Sequence, residues 1–119
     1  MENAGKALPA SVPQWVWPTR GRVLQGYAAD NAGKKGIDIG GRSGQSVVAA
    51  ADGKVVYAGS GLIGYGQLII IKHNDTYLSA YGYNASLLVK EGEVVKKGQR
   101  IATMGEGPER KARLHFEIR

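Results

Sequence analysis

An aspartate in the segment KKGIDIG, residues 34–40, has surroundings in which a metal site could be built. Asp38 lies between two β-branched residues with glycines nearby, and carboxylates and imidazoles are side chains that bind Zn²⁺. A histidine four residues earlier would complete a ligand pair, but that position is Lys34. A lysine ammonium has three donors and no lone pair for a metal. The segment therefore leaves two alternatives, a zinc enzyme or a protein of similar shape with another function.

Other catalytic motifs are missing from the sequence. The segment GLIGYG, residues 61–66, is rich in glycine but lacks the Lys-Ser/Thr pair of a phosphate-binding loop. The chain has no cysteine, which excludes thiolate metal sites, disulfides and a cysteine nucleophile. No serine lies in the strand-to-helix motif of serine hydrolases. Glu91 and Glu93 lie in KEGEVVKKGQ, a pattern typical of a solvated turn.

Charge and length limit the classes of partner. The 119 residues suit one domain, and 16 Lys/Arg against 10 Asp/Glu give a net charge of +6. This excess indicates either a solvated basic surface or an anionic partner, such as an acidic protein or a cell-wall polymer. No block of five like charges occurs, and no aromatic residues alternate with the basic ones. We therefore expect no nucleic acid partner, and no apolar run is long enough to span a membrane.

The pattern of short β-rich runs between glycines predicts the elements that must position Asp38. Residues 1–14 are small, polar and marked by proline, and we interpret them as a flexible linker. Residues 15–119 form the predicted domain, which begins with WVWP, where both tryptophans are expected to anchor the chain to the core. QLIIIKH and TYLSAYG flank a turn and predict a hairpin in which His73 is structural. NASLLVK, residues 84–90, predicts at most one helical turn.

Three segments together resemble the signatures of LytM-type (lysostaphin-like) zinc metallopeptidases. KKGIDIG is similar to the family's H-x-G-x-D, YLSAYGYN to its Y-x-H strand end, and RLHFEIR to its H-x-H-F-E. The resemblance covers about residues 15–119 in the family's order and spacing. It implies an antiparallel all-β, two-sheet sandwich or barrel of LytM type (the duplicated hybrid motif), and the strand pattern also favours a sandwich or barrel.

The resemblance also implies which residues have changed. In that family two histidines and an aspartate hold Zn²⁺, and a zinc-bound water attacks a peptide bond with help from two further histidines. Asp38 and His115 match two ligands, while Lys34 replaces the third. The two catalytic histidines fall on Tyr83 and Arg113. The resemblance therefore implies a degenerate site that is not an enzyme and has no zinc or other cofactor.

Electrostatics favours the same interpretation. At an effective dielectric constant of 20, two unit charges 4 Å apart interact by roughly 4 kcal/mol, and a dication doubles this repulsion. Lys34 can neutralise Asp38 directly, and Arg113 adds a cation that does not deprotonate. We therefore expect an ion pair between Lys34 and Asp38 where family enzymes hold zinc.

The segments most resemble a degenerate branch of this family found in bacterial envelope proteins. That resemblance implies a non-catalytic activator of peptidoglycan (N-acetylmuramoyl-L-alanine) amidases in cell separation, acting through its former active-site groove. The expected partner is a periplasmic amidase, with peptidoglycan as a further candidate. The chain would be a C-terminal fragment of a longer protein that is lipid-anchored to the outer membrane. The expected groove consists of Lys34, Asp38, Tyr65, Tyr81, Tyr83, Arg113 and His115.

Three alternatives remain open from the sequence. An active zinc endopeptidase that cuts peptidoglycan peptides would contain stoichiometric zinc and digest cell walls. A peptidoglycan-binding module without an amidase partner would suit the basic charge. A lipoyl or biotinyl carrier is suggested by ADGKVVYAG and EGEVVKKGQRIATMG, but no lysine occupies the hairpin tip that such carriers need.

Overall fold

The computed structural model describes residues 12–25 and 35–119. Within these ranges the chain forms nine strands and a short 3-10 helix at Pro108–Arg110, with no α-helix. The strands are β1 (Val23–Gln25), β2 (Ile37–Gly40), β3 (Ser46–Val48), β4 (Gly53–Gly59), β5 (Gln67–Lys72), β6 (Leu78–Leu87), β7 (Val94–Val95), β8 (Arg100–Glu106) and β9 (Ala112–Ile118). None of the described elements is a helix with the length and apolar character needed to cross a membrane.

All nine strands belong to one hydrogen-bonded sheet. Its order is β1-β2-β9-β8-β6-β5-β4-β7, with β3 attached to β8, and every pairing is antiparallel. Strand β9 also pairs with β6 over residues 115–118, so the sheet curls on itself as a half-barrel. The predicted antiparallel all-β fold of LytM type is confirmed.

The core lies on one face of this curled sheet. Its largest fully buried side chains are Tyr81, Ile39, Ile69, Ile71, Ile101, Met104 and Leu114. β-Branched residues dominate because they pack well on a pleated surface and lose little rotamer freedom in strands. The other face carries a smaller apolar cluster of Leu68, Ile70 and Ala80, against which Tyr65 packs.

Strand β9 shows how the sheet divides its side chains between two faces. Leu114 and Phe116 are part of the main core. Successive residues of a strand point to opposite faces, so Arg113, His115 and Glu117 project away from that core. The alternation in RLHFEIR therefore separates the residues that stabilise the fold from those that could do chemistry.

The predicted hairpin is confirmed, and its turn is built around Asn74. Strands β5 and β6 pair antiparallel, and Asn74 Oδ1 accepts hydrogen bonds from the backbone N–H groups of Thr76 and Tyr77. His73 precedes this turn and is hydrogen-bonded to the Asp52 carbonyl and the Ser79 hydroxyl. These contacts confirm its structural role.

The two tryptophans of WVWP differ in their environments. Trp15 packs on the core and contacts the His73 ring edge-on, with 5.0 Å between ring centroids. Trp17 is 66% exposed. The predicted anchoring is therefore confirmed for Trp15 and wrong for Trp17.

NASLLVK forms no helical turn, which lies within the predicted limit of one. Residues 84–87 continue β6, where Ser86 lies opposite Thr103 and Leu87 opposite Ala102 of β8. The hydroxyls of Ser86 and Thr103 lie 2.7 Å apart. Pairing across the sheet overrides the local helix preference of these residues, as tertiary context commonly does.

Candidate functional site

Strand β9 brings the chemically active residues together because it pairs with strands on both sides. In its middle, His115 lies opposite Asp38 of β2 and opposite Gly82 of β6. Arg113 lies two residues before His115 and therefore on the same face. Asp38, Arg113 and His115, which are far apart in the sequence, thus share one part of the sheet surface.

Their side chains form a row of alternating charges. Arg113 Nη1 donates to Asp38 Oδ2 at 2.9 Å, and His115 Nδ1 donates to Asp38 Oδ1 at 2.7 Å. His115 Nε2 lies 2.7 Å from Glu117 Oε2, and Arg119 Nε donates to Glu117 Oε1 at 2.7 Å. In this charge row, as we call residues 38, 113, 115, 117 and 119, each carboxylate lies between two cationic groups.

Burial makes these contacts consequential. His115 is 2% exposed, and Asp38 and Glu117 are each 4% exposed. Ionised groups with so little water contact are costly unless they are paired and hydrogen-bonded. The charge row supplies that pairing for all three.

The pKa values move in the directions that this pairing requires. Burial alone would lower the pKa of His115, but the hydrogen bonds to Asp38 and Glu117 outweigh it and raise that pKa. Burial alone would raise the pKa values of both carboxyls, but hydrogen bonds from His115 and an arginine on each lower them instead. Since a carboxylate only accepts, both hydrogen bonds form when both ring nitrogens of His115 are protonated, which is the positively charged form that its raised pKa favours.

A bulge in β6 directs Tyr83 toward this charge row. Where β6 pairs with β5, residues 82 and 83 of β6 lie opposite the single residue 68 of β5, so β6 has one extra residue there. Tyr83 has a φ of 67°. A bulge of this kind shifts the alternation of a strand and re-aims a side chain. The Tyr83 ring lies 5.9 Å from the His115 ring, and Tyr65 lies 5.7 Å from it.

Two glycines leave room for these side chains. A Cβ on Gly107 would lie 2.8 Å from both Arg113 Cδ and Tyr83 Cδ2. A Cβ on Gly82 would lie 3.2 Å from the Tyr65 carbonyl oxygen, which accepts a hydrogen bond from the Tyr83 N–H. Gly107 therefore leaves space that the side chains of Arg113 and Tyr83 occupy.

The described structure brings together most of the residues expected in the groove. Asp38, Tyr65, Tyr83, Arg113 and His115 all lie in this region. Lys34 lies outside the described residues, so its expected ion pair with Asp38 stays a prediction. The cations that bind Asp38 in the described part of the chain are Arg113 and His115.

The placement of Tyr81 is a correction to the expected groove. Tyr81 is fully buried, packs against Phe116 and has no surface for a partner. Its hydroxyl accepts from the Ala50 N–H and is hydrogen-bonded to Ser79. Burial raises the pKa of Tyr81 to about 12, as expected for a core phenol.

Sequence reasoning missed two members of the charge row, Glu117 and Arg119. The signal was present, since RLHFEIR places charged residues at every second position from Arg113 to Arg119. On a strand this spacing puts all four on one face. The family signature does not point to Glu117 and Arg119, because its ligand positions end at His115.

The described residues do not fit a zinc ion as they are arranged. Zinc needs ligand atoms with available lone pairs, but both nitrogens of His115 donate to carboxylates and each oxygen of Asp38 accepts from a cation. Across residues 12–25 and 35–119, no group of three or more His, Cys, Asp or Glu side chains is placed to hold a metal.

Comparison with known proteins gives a family and named relatives. The profile described as Peptidase family M23 matches residues 32–119. The murein hydrolase activator NlpD of Salmonella dublin is 58% identical over 110 residues, which cover 92% of this chain and 29% of that protein. Outer membrane antigenic lipoprotein B of Histophilus somni is 58% identical over 105 residues, covering 88% of this chain and 31% of that protein.

A solved structure with the same fold is a peptidase. The catalytic domain of the antimicrobial peptidase lysostaphin from Staphylococcus simulans superposes with a TM-score of 0.70 and 31% identity. The match covers 82% of this chain and 77% of that domain. The present chain thus spans most of a peptidase domain but less than a third of the length of the murein hydrolase activator and of the lipoprotein.

Proposed function

This chain belongs to peptidase family M23. From its named relatives in that family and from the geometry of its charge row, we propose that it is a non-catalytic activator of a murein hydrolase. Relatives at 58% identity are named murein hydrolase activator and outer membrane lipoprotein. These names support a role in the bacterial envelope, in the periplasm, as part of a longer protein anchored to the outer membrane by a lipid. The finer proposal is that the hydrolase is an N-acetylmuramoyl-L-alanine amidase.

The charge row is the observation that carries the proposal of a non-catalytic site. A zinc peptidase needs a neutral imidazole and a carboxylate oxygen directed at the metal. Here His115 is a cation held between Asp38 and Glu117, and Arg113 holds the second oxygen of Asp38. The same groups that would bind zinc therefore stabilise one another, which supports a site that works without metal.

The groove can still recognise a protein. Tyr65 flanks the charge row and is half-buried, so it offers rigid aromatic area, whereas Tyr83 is only 8% exposed. Arg113 offers a guanidinium held in one orientation by Asp38. Tyrosine and arginine side chains that become buried when a partner binds are among those that most often dominate the binding energy at interfaces. Arg113 Nε is buried and has no hydrogen-bond partner in the described structure, which is a cost that the site carries for holding the guanidinium in this orientation.

These roles divide the expected groove into two sets. Tyr65 and Arg113 form the proposed contact surface, to which Lys34 belongs as a prediction from the sequence, and Tyr83, which is 8% exposed, packs beside them. Asp38 and His115 are too buried to contribute much contact area, and we assign them the task of positioning Arg113. A partner that binds this surface only in its active conformation would be shifted toward that conformation without any chemistry by the activator.

An amidase assay tests the proposal. Release of dye from labelled cell-wall sacculi would be measured for a periplasmic amidase alone, with this chain, and with Arg113→Ala. The chain is expected to raise the rate, and Arg113→Ala to abolish most of that increase. Arg100→Ala is the matched control, because Arg100 is exposed and makes no side-chain ion pair in the described structure.

The same sacculi separate the remaining alternatives. Digestion by the chain alone, together with stoichiometric zinc in the purified protein, would replace the proposal with a zinc endopeptidase. Binding to sacculi without any increase in amidase rate would indicate a peptidoglycan-binding module.

A further inference from the structure

A pocket elsewhere on the described surface uses none of the residues of the charge row. This pocket of about 910 Å³ forms where residues 17–20 cross the turn at residues 42–46. We call it the Trp17 pocket, and its principal lining residues are Trp17, Arg20, Arg42, Ser43, Gln45 and Val48. Its volume lies in the range of pockets that hold small ligands.

The floor of the Trp17 pocket is fixed by internal hydrogen bonds. Gln45 Nε2 donates to Thr19 Oγ1 at 2.9 Å and to the Arg20 carbonyl, while Gln45 Oε1 accepts from the Arg42 N–H at 3.0 Å. Thr19 Oγ1 donates to the Ser46 carbonyl at 2.8 Å. The two chain segments are thus cross-linked, and the pocket is formed before any ligand arrives.

The walls carry charged groups that are unpaired among the described residues. The side chains of Arg20 and Arg42 are exposed and make no ion pair or hydrogen bond in the described structure. By contrast, Arg113 and Arg119 are each bonded to a carboxylate. Trp17 adds an indole that is 66% exposed beside Pro18, which is fully buried and fixes the backbone.

This combination selects a ligand with both a flat apolar face and a negative charge. An arginine guanidinium can donate two parallel hydrogen bonds to one carboxylate. An indole offers a broad apolar face with a polar edge. We propose that the Trp17 pocket binds a disaccharide-peptide unit of murein, with a sugar ring against Trp17 and a carboxylate of the stem peptide between Arg20 and Arg42. Only the choice of murein rests on the proposed function.

The position of the pocket gives this binding a use. Arg42 follows Asp38 by four residues, so their Cα atoms are at most about 14 Å apart even in a fully extended chain. A murein strand in the Trp17 pocket would therefore lie within reach of a hydrolase bound at the charge row. One domain would hold both the enzyme and its substrate.

Titration of the chain with a soluble murein disaccharide-tetrapeptide tests the inference. Trp17→Ala and the double variant Arg20→Gln/Arg42→Gln are each expected to weaken binding at least about tenfold, the loss of one strong contact. The control Lys96→Gln/Arg100→Gln removes the same charge from exposed positions and is expected to change affinity less than twofold. Circular dichroism would verify that each variant folds.

The outcomes separate this inference from the proposed function. Amidase stimulation on a soluble substrate should survive Arg20→Gln/Arg42→Gln, since neither residue lies in the charge row. Equal weakening by the control variant, or equally tight binding of heparin as a plain polyanion, would overturn the Trp17 pocket and leave the activator proposal standing. Binding that depends on Trp17 without any amidase stimulation would support the pocket and remove the activator proposal.

Discussion

Asp38 and His115 lie directly opposite each other on β2 and β9 and share a 2.7 Å hydrogen bond between Oδ1 and Nδ1. In a metallopeptidase of this family, the matching pair would turn its ligand atoms toward zinc. Here the two residues turn toward each other, and Glu117 Oε2 accepts a hydrogen bond from His115 Nε2 at 2.7 Å. A side chain that is bonded at both nitrogens cannot rotate to meet a metal without breaking two charged hydrogen bonds.

The charge row predicts a stability maximum at mildly acidic pH. The folded pKa of His115 is raised above 6.5, so its contribution is complete below 6.5 and is lost as the pH rises through the folded value. The pKa values of Asp38 and Glu117 are lowered from 3.8 and 4.5, so their contributions are present above those values and are lost as the pH falls further. Urea unfolding should therefore give the largest free energy between about pH 4.5 and 6.5.

A histidine variant identifies the source of the alkaline loss. His115→Asn is expected to be less stable at pH 6 and to lose less stability between roughly pH 6 and 9 than the parent chain. A parent chain that becomes more stable over that range would contradict the assignment of His115 as a cation.

Removal of the central carboxylate should destabilise the fold strongly. Asp38→Asn leaves Arg113 and His115 facing a neutral amide at a buried position, and breaking a buried pair of this kind costs roughly 3–5 kcal/mol. Denaturant unfolding at pH 6 measures the loss. Asp75→Asn is the control, since Asp75 is almost fully exposed and pairs with Lys72 at 3.6 Å, and it should leave the midpoint nearly unchanged. Equal effects of the two substitutions would rule out a buried charge row.

The bulge at Tyr83 predicts an unusual order of stabilities. Because φ is 67° there, alanine retains the strain of a left-handed residue while glycine removes it. Tyr83→Gly should therefore be more stable than Tyr83→Ala by about 1 kcal/mol. Thermal and urea unfolding of the two variants provide the comparison. Alanine as the more stable substitution would mean that residue 83 does not have a positive φ.

Gly107 predicts a loss of function that leaves the fold intact. In Gly107→Ala the new methyl group would press on Arg113 and Tyr83 at 2.8 Å, and flexible side chains would shift rather than the backbone. We expect amidase stimulation to fall at least about tenfold while the unfolding midpoint changes little. Gly59→Ala is a control, because the atom nearest to its new methyl group is the terminal hydroxyl of Tyr57, at 3.3 Å. Full amidase stimulation by Gly107→Ala would show that the groove around Arg113 and Tyr83 is not needed for activation.

Much of this fold was predictable because its strands carry local marks. Glycines bound GKVVYAG and RIATMG, and Asn74 supports the turn between β5 and β6. Asp38 and His115 were also found from the sequence, since each lies in a segment that resembles a known signature.

The contacts of the site were less predictable because they depend on register and on one bulge. Arg113 reaches Asp38 only because β9 pairs with β2 in a register that the sequence does not specify. Simple alternation would place Tyr81 and Tyr83 on one face, yet the bulge sends Tyr81 into the core and Tyr83 to the His115 ring. Gly82 inside YLSAYGYN is a local sign of a bulge, but it does not tell which face Tyr83 then takes.

The alternation along the charge row has an effect at long range. Three cationic groups and two carboxylates lie close together, so their field largely cancels a short distance away. The surplus of basic residues in the whole chain, +6 with neutral histidines, must therefore attract anions from other parts of the surface. Added salt would slow the approach of an anionic partner by screening those outer charges, while the interlocked row beneath would hold its geometry. Attraction and recognition are thus carried by separate charges and can be altered independently.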